Sequence, residues 1–152
     1  MRIKQDRRVI TAVALAAFVA ASAGAGVALA AAPIKDATYK GRLSVASSVA
    51  FPISFKVSTD GKRVGSFTFS NGYPIYCQGG GFGALQPASG TITNNGTFTV
   101  KLPIYFAPGH SHQGFVIVTG SFAKHGKESG KVTTDFTHGV SCNGTSSYTT
   151  KG

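Results

Sequence analysis

The sequence predicts an all-β domain, a single antiparallel β-sandwich or barrel of about eight or nine strands, behind an N-terminal signal helix. Three observations predict it. Apolar and polar residues alternate over several short runs, Gly, Asn, Asp and Pro turn signals separate these runs, and no stretch after residue 36 shows helical periodicity. Eleven Phe and five Tyr among abundant Ser, Thr and Gly, with charged residues at only 13%, suit strands that are buried on one face.

Tyr39 to Val45 is the first expected strand. In Ala50 to Ser58 the residues Phe51, Ile53, Phe55 and Val57 share one face and Pro52, Ser54, Lys56 and Ser58 the other, which is the pattern of a half-buried strand. Asp60-Gly61 supplies a tight hairpin turn, and Lys62 to Phe69 returns as the partner. The apolar phase slips between Val64 and Phe67 at Gly65, which predicts a β-bulge. Asn94-Asn95-Gly96 then leads into Thr97 to Phe106, with Phe98, Val100, Leu102, Ile104 and Phe106 in one phase. Pro103 has no N–H to donate, so this strand is expected at an edge or to stop pairing near residue 102. Phe115 to Lys124 is apolar in both phases and reads as a central strand or one that changes sheets. It is expected to pair with Lys131 to Phe136 across a turn at His125-Gly126-Lys127-Glu128, and Thr145 to Thr150 completes the set. The same pattern suits a sandwich and a barrel, and both remain open at this point.

The domain follows an export signal. Arg2, Lys4, Arg7 and Arg8 form a basic head, the run from Val9 to Ala32 is apolar, and Ala28 and Ala30 are small residues at the spacing that signal peptidase reads. Residues 1–30 are therefore expected as a signal peptide with cleavage after Ala30, followed by a short segment 31–36 and the β-domain 37–152. The competing reading is an uncleaved anchor, since the run is long enough to cross a bilayer; its Ala- and Gly-rich composition argues against a permanent span. An uncleaved signal is the one membrane contact expected. The location is then secreted or cell-envelope associated. In an oxidising destination Cys77 and Cys142 are expected to form a disulfide, worth about 4 kcal/mol through restriction of the unfolded chain.

Several short signatures recur in a known group: Tyr39-x-Gly41, Phe55-x-Val57-Ser58-x-Asp60-Gly61-x-x-Val64-x-x-Phe67, Gly96-x-Phe98, Gly120-x-Phe122 and Cys142-x-x-Gly144. On these the chain resembles small secreted single-disulfide β-domain proteins of actinobacteria. The resemblance implies a fold type and an address, and no activity. A tryptophan expected a few residues after the last cysteine is absent, with Tyr148 in its place.

No motif names a reaction. There is no Gly-x-Ser-x-Gly elbow, and Asp60 is committed to a turn, leaving few carboxylates for paired acid–base work, so no enzyme activity and no cofactor is expected. Gly79-Gly80-Gly81 lacks the helix start that a phosphate-cradling loop needs. His110 and His112 are the weak metal candidates, two imidazoles on one loop; a real site would need His125, His138 or Asp135 from another hairpin, and a solvated polar loop is the preferred reading.

Charge is the remaining signal. After residue 30 the chain carries +7, from eleven Lys or Arg against Asp36, Asp60, Glu128 and Asp135. Lys40, Arg42, Lys56, Lys101 and Lys131 fall on the polar phase of their strands, as an anionic-surface contact face would require. Outside the cell such a face would meet an anionic cell-envelope polymer or lipid headgroups. The plainer reading is that strand lysines oppose aggregation. Nucleic acid is not expected as partner, because the aromatics occupy the inward phase. The function expected is thus a non-enzymatic exported β-domain acting at or outside the envelope. Its alternatives are a structural or self-associating surface protein and a small hydrolase or ligand carrier with a mouth near residues 79–83; the oligomeric state has no signature in the sequence.

Overall fold

A computed structural model describes residues 31–44, 51–69, 84–105, 112–136 and 144–152. Nine strands follow in chain order: β1 (Thr38–Ser44), β2 (Phe51–Val57), β3 (Arg63–Phe69), β4 (Ala84–Leu85), β5 (Gly90–Thr91), β6 (Thr97–Tyr105), β7 (His112–Ala123), β8 (Lys127–Phe136) and β9 (Gly144–Lys151). A 3-10 turn, Lys124–Gly126, links β7 to β8. All strands pair antiparallel in one sheet of order β4-β6-β7-β8-β9-β1-β2-β3-β5.

The two ends of that sheet meet. A Cβ placed on Gly90 of β5 would lie 2.6 Å from the Thr99 carbonyl oxygen and 2.7 Å from the Val100 side chain of β6, so only glycine lets the backbones come this close. Gln86 N–H donates to the Pro103 carbonyl and Ile92 N–H to that of Lys62, so the segment 84–92 leaves β6, crosses the seam and joins β3. Of the two architectures the alternation allowed, the result is a nearly closed barrel, in which few backbone groups are left as a sheet edge. Pro103 fits where it sits. Its pairing with β7 continues through Phe115, and on its other side β6 meets only the two-residue β4.

The bulge forms where the phase slips. Between the pairs Ser54 with Thr68 and Lys56 with Gly65, Phe55 faces two residues, Ser66 and Phe67, and Ser66 takes a left-handed φ of 53°. This extra residue returns Phe67 to the inner face. There Phe55 sits among four rings, with centroids 5.3 Å from Tyr39, 5.2 Å from Phe67, 5.5 Å from Phe98 and 6.4 Å from Phe122. The β2–β3 turn is held by Asp60, which accepts from the Ser58 hydroxyl and the Lys62 N–H; the Ser58 bond first, then the Lys62 bond, lower its pKa.

The β8 strand begins earlier than the sequence suggests. Glu128, expected in the turn, stands in the inward phase with Gly130, Val132 and Thr134 and is 2% exposed. One interior row runs Phe98, Gly120, Gly130, Tyr148, Leu43, Phe51 across six strands. The two glycines in it create the space that Glu128 and Tyr148 occupy: a Cβ on Gly120 would lie 2.1 Å from a Glu128 oxygen, and one on Gly130 2.8 Å from the Tyr148 hydroxyl.

Cys77, His110 and His138 lie outside the described residues, as do Cys142, the signal segment 1–30 and the loop 79–83; His112 is described only as the first residue of β7. The residues flanking the cysteine-bearing connections, Phe69 with Ala84 and Phe136 with Gly144, all stand at one end of the barrel: Phe69 pairs with Ile53 near the start of β2, Ala84 with Tyr105, and Phe136 with Gly114. No described helix is long and apolar enough to cross a membrane.

A basic outer face as candidate functional site

Strand geometry sends alternate side chains outward, and the register decides which of them become neighbours. On β1 the outward residues include Lys40 and Arg42; on β9, Thr149 and Lys151; on β8, Lys127, Ser129 and Lys131. Lys40 is directly opposite Lys151, and Lys151 is directly opposite Lys127. Three lysines therefore form one row across adjacent strands, with about 5 Å between successive Cβ atoms. Arg42 stands two residues along β1 from Lys40, and Lys131 four residues along β8 from Lys127.

Like charges directly opposite each other destabilise a sheet. Here no acidic side chain among the described residues offsets them. The four acids after residue 30 are all placed elsewhere: Asp36 is 2.9 Å from Lys56, Asp60 caps its turn, Glu128 is inside the barrel, and Asp135 pairs with Phe115 near the opposite end of β8. None of Lys40, Lys127 and Lys151 has an ion pair among the described residues.

Of the five cations expected to share a face, the structure brings Lys40, Arg42 and Lys131 together. Lys56 lies on β2 and spends its charge on Asp36. Lys101 is on β6, with its ammonium 5.8 Å from the centroid of the Phe115 ring. The sequence reading placed Lys127 in a hairpin turn and missed Lys151. Both carried a usable signal, since Lys127 is in phase with Lys131 and Lys151 with Ser147 and Thr149, but their partnership depends on β9 lying between β8 and β1.

Two other features are chemically notable. An open groove of about 380 Å³ on the outside of the bulge is bordered by Asp36, Lys56, Ser58, Arg63, Ser66 and Ser89. Its polar groups already serve each other, through the Lys56–Asp36 pair and a 2.5 Å hydrogen bond from Arg63 to Ser89. Inside the barrel, Glu128 accepts from the Tyr148 hydroxyl at 2.8 Å and the Thr150 hydroxyl at 2.6 Å. Burial pushes its carboxyl up to about 7 against those two bonds, and burial with the neighbouring Glu128 raises the Tyr148 phenol. No group of three His, Cys, Asp or Glu side chains among the described residues could hold a metal ion. The chain matches no protein-family model, no curated protein and no solved structure.

Proposed function

We propose that this protein is an exported, non-enzymatic β-domain that contacts an anionic polymer or surface at or outside the cell envelope through the outer face of β1, β9 and β8. The row Lys40, Lys151, Lys127 carries the reading. An arrangement that costs fold stability and has no counter-charge among the described residues gains a favourable term when an external anion neutralises it. The basic head and apolar run of residues 1–30, with Ala28 and Ala30, support export, and export supports a bond between Cys77 and Cys142. The actinobacterial resemblance accords with that address.

The short terminal strands β4 and β5 favour this reading over self-association through strand pairing, because a sheet that nearly closes offers little edge to a second copy. Retention of the protein on a polyanionic matrix, eluted by salt, tests the proposal. Combined Lys127→Glu and Lys151→Glu should abolish retention while Lys101→Glu preserves it; equal retention of both variants would refute it.

A further inference from the structure

The lysine row is the first of three parallel rows that cross the outer side of β1, β9 and β8. The second runs Arg42, Thr149, Ser129, Ser121, Thr97, and the third Ser44, Ser147, Lys131, Thr119, Thr99. Beyond them a further row runs Thr145, Thr133 and Ile117 to Lys101 on β6, outside the proposed contact. In the second and third rows every side chain is a hydroxyl or a cation. None is acidic, aromatic or aliphatic. Thr133 and Thr145 bond to each other at 3.0 Å and Thr119 reaches a carbonyl at 3.5 Å, whereas Ser44, Thr99, Ser121, Ser129, Ser147 and Thr149 make no side-chain hydrogen bond among the described residues and present their hydroxyls to solvent.

Resting on the reading above, we infer that the anionic partner is an acidic polysaccharide, a polymer bearing carboxylates and hydroxyls together, laid along the rows across β1, β9, β8 and β7. The cations meet its carboxylates. The serine and threonine hydroxyls, each able to donate and accept, meet its ring hydroxyls at a strand-to-strand step of about 4.8 Å, comparable to the size of a sugar ring. A lipid surface would use several apolar side chains around the cations, whereas Ile34, beside the Gly126 turn, is the one exposed large hydrophobic residue among those described. A nucleic acid would use grooved shape or free aromatic rings, and these rows have neither.

The test compares polygalacturonate, phosphatidylglycerol vesicles and duplex DNA at equal charge and ionic strength, counting only the binding that Lys127→Glu with Lys151→Glu removes. The purified unmodified protein should bind polygalacturonate about ten-fold more tightly per charge than the other two, the margin of one or two additional hydrogen bonds. Ser129→Ala, Ser147→Ala and Thr149→Val together should erase that margin and leave the affinity for DNA unchanged. Equal lysine-dependent binding of vesicles or DNA, or a full margin in the hydroxyl variant, would overturn the polysaccharide assignment and leave the basic face standing. Binding of all three polyanions that survives the lysine reversal would overturn the basic face itself. The comparison among polymers needs no variant beyond that reversal, so a misfolded hydroxyl variant does not decide the outcome.

Discussion

The Tyr148 hydroxyl lies 2.8 Å from the Glu128 carboxyl in the barrel interior, and the Thr119 carbonyl lies 3.2 Å from the same hydroxyl. One phenolic hydrogen cannot fully serve both acceptors. When neutral, Glu128 can donate its carboxyl O–H to the Tyr148 oxygen, reversing the sense of the 2.8 Å bond, and the phenolic hydrogen is then free for the Thr119 carbonyl. An ionised Glu128 claims that hydrogen and leaves the carbonyl less well satisfied, with no buried cation among the described residues to compensate the charge.

Stability should therefore fall as pH rises. The Glu128 pKa stands near 4.5 when the chain is unfolded and about 7 when it is folded. Below the first value both states hold the proton, between the two only the unfolded state releases it, and above the second both have lost it. The loss accordingly grows from about pH 4.5 and levels off above about 7, reaching roughly 3 kcal/mol. Glu128→Gln keeps the shape and the hydrogen bonds. Its melting temperature should change little across this interval while that of the unmodified protein declines, and parallel pH profiles would refute the assignment.

Gly130→Ala should destabilise the fold by about 1–3 kcal/mol. Its Cβ would meet the Thr119 carbonyl oxygen at 1.9 Å, a rigid backbone atom, besides the Tyr148 hydroxyl. Urea denaturation reads the effect directly, and an unchanged midpoint would show that Tyr148 does not rest on that glycine.

Phe55→Ala removes the ring at the centre of the aromatic cluster. The expected cost is about 3–5 kcal/mol, a large part of the 5–15 kcal/mol that holds a typical domain together. Near-ultraviolet circular dichroism and thermal unfolding should both report it. A variant as stable as the unmodified protein would mean that the cluster is not the centre of the core.

Ser66→Gly should stabilise modestly, by up to about 1 kcal/mol, because glycine adopts φ of 53° without strain, less the flexibility it adds to the unfolded chain. A marked loss of stability would place a needed contact on the Ser66 side chain.

Much of the fold was legible because alternation and turn chemistry are local. The bulge, expected at Gly65 and found beside it at Ser66 and Phe67, followed from a slip in apolar phase, and β2, β3 and β6 lie within a residue of their expected bounds. Closure was not legible. It rests on the two-residue strands β4 and β5, too short for any period, and on the close approach of Gly90 to β6. Glu128 was misplaced for a related reason: the reversal is completed by a tight 3-10 turn in which His125 takes a φ of 64°, so β8 starts at Lys127 and an apparent turn residue enters the core. The candidate site was half legible. Phase marks Lys40, Arg42 and Lys131 as outward, but only the adjacency of β9 to both β1 and β8 turns Lys127 and Lys151 into their neighbours.

The most direct test of the basic row is the salt dependence of polyanion binding in single-lysine variants. Each cation that touches the polymer releases counterions, so removing it lowers the slope of log affinity against log salt by about one. Lys40→Gln, Lys127→Gln and Lys151→Gln should each flatten the slope by that amount, while Lys56→Gln and Lys101→Gln leave it unchanged. Equal slopes for all five variants, or a change confined to Lys56 and Lys101, would contradict the account.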